Sequence, residues 1–259
     1  MPIGVFDSGV GGLTVLQALR RRMPAHDFLY VGDTARVPYG RKPREMVERF
    51  AREIARFLVR QDVSGIVVAC NTASAAALPQ LAEELPVPVW GVIEPGVEAA
   101  RRLAPHGRVG IVATAGTVRA QAYQRKLEAL GMTVWARACP MFVHLVEEGL
   151  ADSPEAELLA RHYLADRPEL DALILACTHY PLLKAVLRRV VGDTVPLVDS
   201  AEATAEAVSA ALFSIPSGNR GKIVHYVTGD PLAYRHTATV IGGVDGDIVP
   251  LLESTLCVT

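Results

Sequence analysis

Apolar residues fall into two rhythms that alternate along this chain. Short runs of β-branched and aliphatic residues occupy positions 3–6, 28–31, 66–69, 89–92, 109–113, 133–136, 172–176 and 195–198. Runs this short, apolar at consecutive positions, predict strands buried on both faces, as in parallel sheets. Between them lie longer amphipathic stretches: Met46, Phe50, Ile54, Phe57 and Leu58, for instance, fall on one face of a helix. Strands separated by helical stretches predict parallel βαβ units with right-handed crossovers, and so a doubly wound α/β fold. A further strand over 222–228 and a helix from about Leu232 follow the alternating region, with turn residues over 214–220 as the connection.

The pattern repeats. Gly4-Val5-Phe6-Asp7-Ser8-Gly9 resembles Gly110-Ile111-Val112-Ala113-Thr114-Ala115 at an offset of 106, and the apolar runs ending in Cys70 and Cys177 are offset by 107. One such pair could be chance, but two at nearly one offset predict an internal duplication. The expected architecture is two pseudosymmetric doubly wound parallel-sheet domains with a cleft between them. Residues 1–94 form the first, completed by the C-terminal segment 210–259, and residues 95–209 form the second.

Composition narrows the function. Half of the 259 residues are hydrophobic and 21% are charged, which predicts a packed core. A formal net charge of −2 gives no basic footprint for nucleic acid. No stretch approaches the roughly 20 apolar residues of a membrane span, and no leader pattern opens the chain, so a cytoplasmic location is expected. The four cysteines are widely spaced, without C-x-x-C, H-E-x-x-H or H-x-H clusters; reduced thiols and no metal are expected.

The chemistry concentrates where strands end, since open α/β sheets bind ligands in the crevice beyond the strand C-termini. The loop Asp7-Ser8-Gly9-Val10-Gly11-Gly12-Leu13 lacks both the G-x-G-x-x-G spacing and a P-loop lysine. It is expected to hold a small anion, carboxylate or phosphate, against helix N–H groups. Cys70 and Cys177 occupy equivalent strand ends. Two thiols facing one cleft can address opposite faces of a carbon, one as thiolate removing a proton, the other as thiol returning one. A free thiol has a pKa of roughly 8.5, so acid–base helpers are needed; Asp7, His179 and Glu147 are the candidates. Asp7 has no acidic counterpart in the second half and His179 none in the first, so the two sides are expected to be chemically unlike. Cys139 and Cys257 lie outside the duplicated pattern and are expected to be inert.

Seven blocks then occur in order: Asp7 to Leu13, Pro38-Tyr39-Gly40, Ala69-Cys70-Asn71-Thr72-Ala73, Gly91-Val92-Ile93-Glu94-Pro95-Gly96, Cys139-Pro140-Met141-Phe142, Val146-Glu147-Glu148-Gly149 and Cys177-Thr178-His179-Tyr180-Pro181. Over nearly its whole length the chain resembles the bacterial glutamate racemases. The resemblance implies a cofactor-independent isomerase interconverting L- and D-glutamate, the latter for peptidoglycan synthesis, in a family that often forms homodimers. It implies Cys70 and Cys177 as the acid/base pair, assisted by Asp7, Glu147 and His179. It also implies substrate contacts from Asp7, Ser8, Pro38, Tyr39, Gly40, Asn71, Thr72, Thr178 and His179, with Thr114 and Thr117 as further carboxylate contacts. One departure is His144, where the family pattern carries proline; it is expected to be a surface substitution. Alternatives are a two-cysteine isomerase acting on aspartate, a hydantoin or another dicarboxylate, a nucleotide- or phosphate-binding protein with incidental cysteines, and a noncatalytic interaction module.

Overall fold

The computed structural model describes residues 1–212 and 220–256. Among the described residues ten strands form two wholly parallel sheets, so the protein has two parallel-sheet α/β domains. The strands are β1 (Ile3–Asp7), β2 (Phe28–Gly32), β3 (Gly65–Val68), β4 (Val89–Gly91), β5 (Arg108–Ala113), β6 (Thr133–Ala138), β7 (Ala172–Ala176), β8 (Leu197–Asp199), β9 (Ile223–Val227) and β10 (Asp247–Pro250). The six-stranded sheet has the order β10-β9-β2-β1-β3-β4 and the four-stranded sheet β6-β5-β7-β8. Four strands of the first thus repeat in the second in the same spatial order, as a duplicated unit requires. The C-terminal strands β9 and β10 extend the first sheet beyond β2.

Burial explains why the strands were readable. Every residue of β1, β3 and β7 is buried, because helices cover both faces of a parallel sheet. The least buried strands, β4, β6, β8 and β10, lie at sheet edges. β10 is largely exposed, and Asp-Ile-Val-Pro lacks a continuous apolar run, so the sequence reading missed it. β8 begins at Leu197 rather than Val195, because Pro196 has no N–H for the ladder. The expected connection over 214–220 lies outside the described residues except for Arg220, and Cys257 lies outside them altogether.

Three apolar clusters form the core. One lines the outer face of the first sheet, another one face of the second, and the largest runs through both sheets. The last is continuous because the helix Leu13–Arg22 packs against the helix Ser200–Ala211. In the helix Arg44–Arg60, Val47, Phe50, Ile54, Phe57 and Leu58 are buried as expected of an apolar face, but Met46 is 36% exposed and Val47 takes its place. No described helix is long and apolar enough to cross a membrane.

Candidate active site

In the order 2-1-3-4 the crossover direction reverses between β1 and β3, and in the second sheet between β5 and β7. Loops leaving two adjacent strands there diverge to opposite sides of the sheet and open a crevice. The crevice of the first sheet holds Asp7 and Ser8 after β1 and Cys70 after β3. That of the second holds Thr114 after β5 and Cys177 after β7. The two crevices meet in one cavity of about 150 Å³, lined by both thiols. Concavities of about 440 and 330 Å³ lie elsewhere and contain no thiol; the chemistry, not the size, singles out the smaller one.

Cys70 caps the helix Asn71–Glu84. Its sulfur accepts the Ala73 N–H at 3.5 Å and lies 3.7 Å from the Ser8 hydroxyl. Burial pushes the thiol up to about 12, and the nearby Asp7 carboxylate adds to the rise. Asp7 itself is 1% exposed; its Oδ2 accepts the Gly9 N–H at 3.0 Å, while Oδ1 has no hydrogen-bond partner in the protein. Burial raises the Asp7 pKa, opposed by the charge of His179 and by backbone N–H groups of its own loop.

Cys177 has different company. Its sulfur is 3.9 Å from His179 Nδ1, and His179 Nε2 is 2.9 Å from Glu147 Oε1. Burial alone would drive the imidazole toward neutrality. The hydrogen bonds to Cys177 and Glu147, together with the charges of those two groups when ionised, outweigh it and raise His179 to about 10, which favours the cationic ring. Glu147 reaches the site from the last turn of the helix Met141–Glu147.

Polar groups without formal charge complete the walls. Thr72, Thr114 and Thr117 form a triangle of hydroxyls, 2.9, 3.0 and 3.2 Å apart, that joins the two domains. Tyr123 donates to Asn71 Oδ1 at 2.7 Å, leaving the buried Asn71 Nδ2 as a donor without a protein partner. Thr14, in the first turn of its helix, donates to the Thr178 carbonyl at 2.8 Å. The loop after β1 lies so close to the turn after β7 that a Cβ on Gly11 would come within 2.3 Å of Thr178 Oγ1 and 2.4 Å of the His179 ring.

Of the residues singled out in the sequence, Ser8, Pro38, Tyr39, Gly40, Cys70, Asn71, Thr72, Thr114, Glu147, Cys177, Thr178 and His179 line this cavity. Asp7 and Thr117 stand behind its wall, each 1% exposed. The expected anion cradle at the start of the first helix is not formed, because the Leu13 and Thr14 N–H groups turn back to the carbonyls of Val10 and Gly11. Only Ser8 and Gly9 of that loop reach the cavity. His144 is exposed, as expected of a surface position, yet it also lines the cavity. Val37 and Val143 line it too and were not anticipated. Val143 lies one helical turn before Glu147, a spacing that could have flagged it. Cys139 is fully buried and outside the cavity wall. Among the described residues no cluster of three or more His, Cys, Asp or Glu could hold a metal ion.

Known proteins share this arrangement of chain and fold. A family model described as Asp/Glu/Hydantoin racemase matches residues 5–208. The glutamate racemase of Thermus thermophilus is 59% identical over 246 residues, spanning 93% of this chain and 92% of the relative. The structure of Thermus thermophilus glutamate racemase in complex with β-chloro-D-alanine superposes with a TM-score of 0.92 at 55% identity, covering 98% of each chain. Glutamate racemase from Francisella tularensis, solved in complex with D-glutamate, gives 0.89 at 34% identity over 96% of this chain and 97% of that one. The chain belongs to the Asp/Glu/Hydantoin racemase family and is an isomerase of that family.

Proposed function

We propose that this protein interconverts L- and D-glutamate without a cofactor, by two-cysteine proton transfer at Cα. The observation that carries the reading is one small cavity bearing two thiols, one from the end of β3 and the other from the equivalent end of β7. With the substrate Cα between them, one sulfur as thiolate removes the proton and the other as thiol delivers a proton to the opposite face. The product leaves the roles exchanged, ready for the reverse reaction. Asp7 and Ser8 serve the Cys70 side, while His179 and Glu147 hold and return a proton beside Cys177.

Ligand size and chemistry support a small amino acid. A cavity of about 150 Å³ is well below the ~300–1,000 Å³ of sites for larger ligands, which argues against a nucleotide. The hydroxyls of Ser8, Thr72, Thr114 and Thr178 and the free Asn71 amide can bind carboxylates without a cationic side chain. Asp7, just behind the wall, adds a nearby carboxylate charge for the substrate ammonium without touching it. Catalysis then rests on holding Cα in line with both sulfurs and stabilising the carbanion through hydrogen bonds to the α-carboxylate. On this reading the cleft divides residues 1–94 plus 210–259 from residues 95–209, and the product feeds peptidoglycan synthesis in the cytoplasm. Following the two enantiomers of glutamate and of aspartate by circular dichroism tests the substrate. Racemisation of glutamate at a kcat/KM far above that of aspartate is expected, and a preference for aspartate overturns the assignment.

A further inference from the structure

The loop that carries Pro38, Tyr39 and Gly40 into the cavity is built from two single 3₁₀ turns, Thr34–Arg36 and Tyr39–Arg41. Turns this short have little stability of their own. What holds them is a charge buried beneath the loop. Asp33 is fully buried, immediately after β2, and its N–H donates to the Asp7 carbonyl at 3.1 Å. Its carboxylate accepts from Arg36 Nε at 2.9 and 2.8 Å, from the Thr228 hydroxyl at 2.9 Å and from the Tyr39 hydroxyl. Arg36 is 8% exposed, donates to Glu53 as well, and places its guanidinium 4.1 Å from the centroid of the Phe50 ring. Phe50 also packs on Tyr39, with ring centroids 5.6 Å apart.

The carboxylate therefore joins two separate segments, the loop itself and the end of β9, and Arg36 ties them to a third, the helix Arg44–Arg60, through Glu53 and Phe50. Thr228 ties the end of β9 twice, because its hydroxyl also accepts the Ala35 N–H at 3.0 Å. Burial and the Asp33 charge push the Tyr39 phenol well above its ordinary range, so it donates as a neutral hydroxyl. On its far side the loop abuts the second domain: a Cβ on Gly40 would come within 2.8 Å of Thr114 Cβ. A shift of the loop would move the Tyr39-Gly40 wall relative to both Cys70 and Thr114.

We infer that the Asp33–Arg36–Thr228 network is a positioning device for the reaction: it sets the substrate-facing wall formed by Tyr39 and Gly40, and Thr228, far away in sequence, is one of its members. The ion pair could have served folding alone. Its geometry argues for more, because the carboxylate's donors include the side chain of the cavity residue Tyr39, and its backbone is bonded to Asp7. Arg36 Nη2 is left without a partner, but all the other links of the network pull on one loop conformation, and precise substrate placement depends on such support.

The inference rests on the glutamate reading for its kinetic test, and one arm is independent of substrate. Thr228→Val keeps the shape and removes the hydroxyl, whereas Thr228→Ser retains it. Thr228→Val is expected to raise the KM for glutamate about five- to tenfold with kcat within about threefold, and Thr228→Ser to stay within about twofold of wild type in both. Asp33→Asn should give a larger loss, at least thirtyfold in kcat/KM. In the substrate-free arm, iodoacetamide labelling of Cys70, read by mass spectrometry, should quicken at least threefold in Thr228→Val and not in Thr228→Ser. A folded Thr228→Val protein with unchanged KM and unchanged Cys70 labelling overturns the inference. If wild type fails to racemise glutamate, the function proposal falls, and the labelling arm alone decides the network.

Discussion

The two sides of the cavity occupy equivalent places in a duplicated fold, yet they are chemically unlike. Cys70 sits at a helix N-terminus with a hydroxyl and a buried carboxylate nearby, and burial holds its proton tightly, at about 12. Cys177 faces an imidazole whose cationic form is favoured and which a carboxylate anchors. Duplication supplied the backbone symmetry, and divergence at two positions supplied the asymmetry. Where Asp7 stands in the first half, Ala113 stands in the second; where His179 stands in the second, Thr72 stands in the first. A symmetric substrate pair does not demand symmetric machinery. On the proposed mechanism it demands only that each sulfur can cycle between thiol and thiolate.

Removing either sulfur should produce the largest effect. Cys70→Ala and Cys177→Ala are each expected to lower racemisation about 10²- to 10⁴-fold, the contribution of a positioned acid or base. Residual activity within tenfold of wild type, measured by circular dichroism, would dissolve the comparison altogether.

Next come the unlike helpers. L- and D-glutamate have equal free energy, so kcat/KM in the two directions must remain equal in every variant. Asymmetry can therefore appear in kcat and KM taken separately, or in partial reactions, but never in their ratio. Glu147→Gln is expected to slow Cα–hydrogen exchange from one enantiomer by about 10- to 100-fold more than from the other. Asp7→Asn should show the opposite preference. Equal slowing of both enantiomers in both variants, read by NMR in D₂O, would mean the helpers serve the two thiols alike.

The His179 charge gives a smaller, pH-dependent effect. Its pKa is raised from about 6.5 to about 10 on folding, so the stability it contributes is fully present below pH 6.5 and fades as pH rises toward 10. The difference in denaturation midpoint between wild type and His179→Asn should shrink across that window; a difference that grows with pH would contradict the assigned charge. Gly11→Ala should be the mildest lesion, costing about 1–3 kcal/mol through overpacking against Thr178 and His179, visible as a lower Tm.

Much of this was legible in the sequence because parallel strands leave an unbroken apolar signature, and because the duplication marked Cys70 and Cys177 as a pair. Edge elements were not: β10 carries a charge and a proline, and β8 is displaced by Pro196. At the site, strand ends and motif blocks pointed to the thiols, His179 and Glu147. The sequence could not tell wall from support. Asp7 and Thr117 look like contacts but lie behind the surface, while Val37 and Val143 look like core but face the cavity. Asp33 and Thr228 are 195 positions apart and carry no shared pattern; only the pairing of β9 with β2 brings them together.

The central claim, two sulfurs serving opposite faces of one carbon, is tested most directly by isotope transfer. During the first turnovers of either glutamate enantiomer in D₂O, the product should carry deuterium at Cα while the unreacted substrate keeps protium. Both Cys70→Ala and Cys177→Ala should form no such product. Product that retains the substrate's own protium would mean a single group carries the proton from one face to the other, and the two-thiol account would be wrong.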